Sequence, residues 1–172
     1  HSVNEFLAYL RELVRERRQH PGAPEHDVLT RLIQGEDSGD TLSEVELLQN
    51  CMFLLNAGHE TTTNLIGNAL ITLQEWPAQC AQLQTDLNSA ETLEERTHIL
   101  GLAVDEFLRF ESSNQLGNRR ALQATQVNGL ALPAGALVTL CIGAANRDPA
   151  VYDNPEQPDL RRTGNKHLAF GF

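Results

Sequence analysis

LLNAGHETTTNLIGNAL, residues 54–70, is a helical pattern with a conflict at its centre. Apolar Leu54, Leu55, Leu65, Ile66 and Leu70 flank Gly58, His59, Glu60 and the run Thr61-Thr62-Thr63. Glycine and β-branched threonine are mediocre helix formers, and a carboxylate among leucines has to be hydrated or hydrogen-bonded. Two physical readings fit. One is a kink, in which threonine hydroxyls bond back to carbonyls one turn earlier. The other is a groove: Gly58 withdraws a side chain so that a ligand can approach the backbone, and Glu60 and Thr61 supply an acid and a hydroxyl for moving protons. His59-Glu60 also begins the H-E-x-x-H zinc pattern, but the fifth position is Thr63. The second ligand is missing, and no metal site is expected there.

The helix carrying this stretch meets no breaker before Trp76-Pro77. It can start at the capping box Thr41-Leu-Ser-Glu44 or, one turn on, at Ser43-Glu-Val-Glu46. Over about 41–76 it is roughly 50 Å long, whereas a globule made from a chain of this length is roughly 40 Å across. From Cys51 to Ala57 it is apolar nearly all round and needs partners on several sides. Either the chain associates along this helix, or it belongs to a larger body.

Working outward, apolar spacing predicts helices over 3–19, about 27–34, 78–87 and 92–110, with a Gly-Glu-Asp-Ser-Gly-Asp loop at 35–40. After Gly117 the period shortens, and strands are expected over 119–127 and 136–142 around the turn signals Asn128-Gly129 and Pro133-Ala-Gly135. Residues 144–166 read as a short helix followed by ordered loop. The expected class is mainly α with a small β portion, built around one long helix.

Composition narrows the function. A formal net charge of −10 gives a nucleic-acid role no electrostatic support, and the basic cluster Arg11–Arg18 is interleaved with glutamates as on a solvated helix face. No run reaches 18 uninterrupted apolar residues and no leader pattern opens the chain, so no membrane span and a cytoplasmic location are expected. Cys51, Cys80 and Cys141 are odd in number, far apart and set in apolar stretches, and read as buried free thiols.

Two further patterns are weak alone. Glu106-Phe-Leu-Arg109 puts opposite charges on one helical face among Phe107, Leu108 and Phe110. His167-Leu-Ala-Phe170-Gly-Phe172 is an apolar loop containing glycine. Taken in order, however, these stretches resemble the cytochrome P450 family, over about Tyr9 to Phe172. Ala57-Gly58-His59-Glu60-Thr61-Thr62 is similar to the oxygen-activation motif of that family's long distal helix. Glu106-Phe-Leu-Arg109 falls at the E-x-x-R pair, Arg119 at an arginine that binds a haem propionate, and Gly143–Pro149 with Asn154-Pro-Glu156 at the meander. Phe170-Gly171 resembles the opening of the haem loop F-G-x-G-x-H/R-x-C.

The resemblance implies a partial P450 domain over 1–172: distal helix about 41–76, E-x-x-R helix about 92–110, strands about 119–142, and meander with the start of the haem loop over 144–172. Gly58 would make room for dioxygen, with Glu60 and Thr61 delivering protons and the substrate lying near Ala57 and Leu54. Arg119, Phe170 and Gly171 would hold haem b, and Glu106–Arg109 would be a structural ion pair. The intact protein would insert one oxygen atom from O2 into a small organic substrate, drawing electrons from a ferredoxin or flavoprotein. The haem-ligating cysteine of the pattern lies beyond Phe172, seven positions after Phe170, so this stretch is expected to be inactive and haem-free alone and to form a homo-oligomer. The rival expectation is a degenerate, haem-free P450-derived helical domain acting as a self-association module. Three departures stand out. Ser113 or Asn114 replaces the proline usual after E-x-x-R, and Ala90–Leu102 is longer than the usual linker. Gln157-Pro158 replaces Arg-Phe in the meander, which predicts a weaker charge network around Glu106–Arg109.

Overall fold

The computed structural model describes residues 2–34 and 42–171. The loop at 35–40, the Thr41 start of the long helix and Phe172 lie outside them. The element order is α1 (Ser2–Gln19), α2 (Val28–Gln34), α3 (Glu44–Glu75), α4 (Pro77–Ser89), α5 (Leu93–Phe110), β1 (Leu116–Arg120), β2 (Thr125–Val127), β3 (Leu130–Leu132), β4 (Leu137–Cys141) and α6 (Ile142–Ala145). The architecture is mainly helical with a small β portion, as expected. The chain divides into two units, His1–Glu60 and Thr61–Phe172, with α3 contributing to both.

In the first unit α3 starts at the second of its two capping boxes. The Ser43 hydroxyl accepts from the Glu46 amide at 3.3 Å while the Glu46 carboxylate accepts from the Ser43 amide at 2.9 Å. Leu10 and Val14 of α1 pack with Leu47 and Leu48 of α3, joined at the edge by Leu29, Leu32 and Ile33 of α2. Asp27 closes the turn between α1 and α2, accepting from Arg17 Nε and the Thr30 hydroxyl. Arg17 therefore leaves the purely solvated role expected of the basic cluster.

In the second unit α3 stops at Glu75 because Pro77, at the first position of α4, has no amide to continue the ladder. α5 opens on a complete capping box between Thr92 and Glu95. Its Ala103 and Phe107 pack with Leu160, and Leu65, Ala69 and Leu73 of α3 close the cluster. The Trp76 ring meets Phe110 edge-on at 6.3 Å.

The strand reading over 119–127 needs correction. β1 pairs antiparallel with β4, Arg119 facing Val138, and β2 and β3 form a separate hairpin that was not expected as two strands. Its turn is Asn128-Gly129, with φ of 48° and 82°. Positive φ at both central positions twists the chain back on itself in the sense that a two-residue hairpin needs. Local alternation does not reveal the bend at 121–124, because it arises from β1 finding its partner across the inserted hairpin. The reading of three buried thiols also fails in part: Cys51 and Cys80 are half-buried, but Cys141 is exposed. It ends β4 and lines an open depression with Leu140, Ile142 and Phe170. Burial pushes the Cys51 thiol up.

α4 is tied to the segment after β4 by Arg161, which donates to Asp86 through Nε at 2.8 Å, and by the Leu160 amide, which donates to Gln79 Oε1 at 3.1 Å. The hydrogen bond from Arg161 holds the Asp86 carboxyl below the usual range. A carboxyl depressed in the folded state stabilises above its unfolded value and ceases to do so as pH falls through the folded one. Acidification below about pH 4 is therefore expected to loosen residues 159–162 from α4. Carboxyl-carbon NMR of Asp86 should titrate below free aspartate, and Asp86→Asn should remove the acid-dependent part of the loosening. A free-aspartate titration curve would overturn this.

Candidate functional site

Glu106 and Arg109 lie one turn apart near the end of α5, and both side chains are fully buried. Arg109 Nε and Nη2 donate to the two Glu106 oxygens at 2.8 and 2.7 Å, a forked pair. The remaining Arg109 donors reach the backbone carbonyls of Asn146 (2.9 Å), Pro155 (3.0 Å) and Gln157 (3.3 Å), so every guanidinium N–H is used. Glu106 also accepts from the Asp159 amide at 2.8 Å, from Arg162 Nε at 3.1 Å and from Asn165 Nδ2 at 3.0 Å. The weaker network expected from Gln157-Pro158 is thus corrected. Gln157 contributes its carbonyl, and Arg162 supplies the second cation. The only sequence signal for Arg162 is the pair Arg161-Arg162, and only the fold shows that one turns out to Asp86 and the other in to Glu106. Aromatic faces complete the hub: the Arg109 guanidinium lies 5.1 Å from the Tyr152 ring and Arg147 lies 4.2 Å from Phe110.

The hub braces a second feature. Arg119, Phe170 and Gly171, named separately from the sequence, line one depression of about 550 Å³ together with Gly117, Leu140, Ile142 and Leu168. β1 supplies Arg119, whose guanidinium donates to the Asn118 carbonyl and forms no ion pair among the described residues. The Phe170 end is aimed by two residues that the sequence left without a role. Asn146, fully buried, accepts from the Leu168 amide at 2.7 Å, while its own carbonyl accepts from Arg109. His167 accepts from the Ala169 amide at 3.3 Å and meets the Phe170 ring edge-on at 5.7 Å. An apolar wall with a guanidinium available at its side fits a flat apolar group bearing a carboxylate, which is the chemistry of haem. Phe170 is 83% exposed at the mouth of this depression. Among the described residues no cluster of His, Cys, Asp and Glu is suited to a metal ion.

On α3 the oxygen-motif residues divide between faces. Leu54, Ala57, Gly58 and Thr61 follow i, i+3, i+4, i+7 spacing and share one stripe. All four are exposed, and a Cβ on Gly58 would meet no atom within 4 Å. Glu60 lies on the adjoining face, lining a depression of about 640 Å³ with Phe6, Met52, Leu55, Asn56 and His59. The acid and the hydroxyl therefore adjoin along the helix but point about 100° apart. Near Thr61 the departure at Ser113 has a physical consequence: its hydroxyl donates to the Thr61 carbonyl at 2.6 Å, a bond no proline can make. No helix among the described residues is long and apolar enough to cross a membrane.

The family model described as Cytochrome P450 matches residues 1–167. The biotin biosynthesis cytochrome P450 of Bacillus subtilis (strain 168) is 38% identical over 165 residues, covering 96% of this chain and 38% of that protein. Cytochrome P450 107B1 of Saccharopolyspora erythraea is 39% identical over 167 residues, 96% of this chain and 38% of its own length. Among solved structures, ligand-free P450 monooxygenase TamI superposes with a TM-score of 0.87 at 34% identity, covering 99% of this chain and 39% of TamI. P450BioI, solved with an acyl carrier protein carrying hexadec-9Z-enoic acid, superposes at 0.81 with 37% identity, over 97% and 39%. The chain spans about two fifths of the length of the relatives it matches. With the motifs, the hub and these matches in agreement, the chain belongs to the cytochrome P450 family.

Proposed function

We propose that these residues are part of a haem-thiolate monooxygenase that inserts one oxygen atom from O2 into a small organic substrate. The observation that carries the reading is the convergence of Arg119, Phe170 and Gly171 on one apolar depression braced by the Glu106–Arg109 hub. Haem, when bound, supplies oxygen activation with electrons from a ferredoxin or flavoprotein, and its thiolate ligand favours O–O cleavage. The chain's own residues do the rest. Arg119 would pair with a carboxylate of the group and Phe170 would pack against it, while Gly171, with φ of 79°, turns the loop that carries Phe170. Leu54 and Ala57 shape the substrate groove, and Gly58 leaves it open. Glu60, facing a solvent-reaching depression, takes a proton at its carboxylate, and the Thr61 hydroxyl passes it to the groove side of α3. Glu106 and Arg109 are structural.

Alone, the 172 residues are expected to be inactive and free of tightly bound haem, since none of Cys51, Cys80 and Cys141 stands in the haem-loop pattern. Reduced under carbon monoxide, a full-length protein carrying this segment should give the absorption band of thiolate-ligated haem, and the isolated segment should not. A full-length protein without the band would overturn the monooxygenase reading. The second reading is a haem-free self-association module, with Phe53, Leu54 and Leu55 of α3 as its contact. It predicts the missing band together with a stable oligomer.

A further inference from the structure

The stretch joining α5 to β1 is anchored at both ends. On one side the Arg147 guanidinium donates to the Phe110 carbonyl at 2.9 Å, and Ser112 is buried with its carbonyl accepting from Gln115 Nε2. On the other side two bonds reach α3. The Ser113 hydroxyl donates to the Thr61 carbonyl at 2.6 Å, and Asn68 Nδ2 donates to the Glu111 carbonyl at 2.9 Å. Thr61 and Asn68 are two turns apart on one stripe of the helix, and Leu65 between them packs into the Ala103–Phe107 cluster. The linker is thus fastened along the face of α3 that begins at Thr61.

A helical carbonyl has two lone pairs, one of which serves the ladder. A second donor off the helix axis holds the peptide plane in one orientation. Threonine in a helix divides between two χ1 wells, because its hydroxyl can bond back to a carbonyl one turn earlier. The tethered carbonyl and the hydroxyl belong to one residue, so a bond that limits the rocking of the Thr61 turn also limits the positions open to its hydroxyl. At 2.6 Å the serine contact lies within the ordinary O–H···O range.

We infer that Ser113 is a positioning residue for Thr61: held by the α5 hub, its hydroxyl fixes the Thr61 carbonyl and so aims the Thr61 hydroxyl into the groove. The inference rests on Thr61 being the proton-passing hydroxyl proposed above. Dioxygen that receives electrons but is served protons at the wrong place leaves as hydrogen peroxide, so mispositioning is read as the peroxide released per reducing equivalent consumed.

The test uses the haem-loaded full-length protein with Ser113→Ala, Ser113→Thr and Thr61→Val. Ser113→Ala should raise the peroxide share about 3- to 10-fold, the worth of one hydrogen bond, with the substrate dissociation constant within about 2-fold. Amide exchange over residues 62–65 should speed up about tenfold, a readout independent of turnover. Ser113→Thr, which keeps the hydroxyl, should restore both. Thr61→Val should raise the peroxide share while leaving exchange in that turn unchanged. If Thr61→Val raises peroxide but Ser113→Ala moves neither readout, or moves only the melting temperature, the role of Ser113 is overturned and Thr61 keeps its own. If Thr61→Val leaves the peroxide share unmoved, the reading of Thr61 falls and the inference with it. Should Ser113→Ala fail to fold, exchange in the unmodified protein decides: a Leu65 amide opening as fast as an exposed helix turn overturns the tether.

Discussion

Glu106→Ala is expected to cost about 3–5 kcal/mol of folding stability, the usual result of breaking a buried ion pair from one side. Both partners are fully buried. Truncation would leave the Arg109 charge without its counter-ion and would strand the Asp159 amide, Arg162 Nε and Asn165 Nδ2 as well. Since a domain's whole stability is about 5–15 kcal/mol, folded yield and haem retention of the full-length protein should fall together. Glu156→Ala is the internal control. Glu156 pairs with Arg147 at 2.9 Å but is 72% exposed, so its loss should cost under about 1 kcal/mol. Urea denaturation of both variants measures the difference. A Glu106→Ala protein that folds normally and loses only turnover would show the pair to be part of the chemistry and not of the scaffold.

Self-association of the isolated 172-residue chain is the second large effect expected. In the first unit Phe53, Leu54 and Leu55 stand exposed on α3, and in the second unit Ile66, Leu70 and Ile71 are each more than half exposed. If half of an apolar patch of about 600 Å² stays wet, roughly 7–8 kcal/mol of burial is forfeited at 25 cal/mol per Å². A second copy can recover it by packing apolar α3 residues against their equivalents, most simply about a two-fold axis. Sedimentation at micromolar concentration should give a dimer or larger species, and Phe53→Glu with Leu55→Glu should shift it toward the monomer. A compact, cooperatively unfolding 19.0 kDa monomer would refute the expectation.

What the amino-acid order determined by itself was local. Pro77 ends α3, because a missing amide acts within one turn, and two capping boxes were open for its start, of which Ser43-x-x-Glu46 is formed. Asn128-Gly129 sets a hairpin turn, because those residues tolerate positive φ. Spacing put Glu106 and Arg109 on one helical face, and the ordered motifs made the family legible. Tertiary structure decided everything that depends on which distant groups meet. Arg162 and not Arg161 turns to Glu106, the carbonyls that satisfy Arg109 come from 37 to 48 residues away, and Ser113 reaches Thr61 across 52. It also broke the expected strand at 121–124 and left Cys141 exposed. Periodicity says which face of an element is apolar. A buried charge instead takes its partners from wherever the folded backbone brings donors and acceptors within about 3 Å, and no local pattern encodes that.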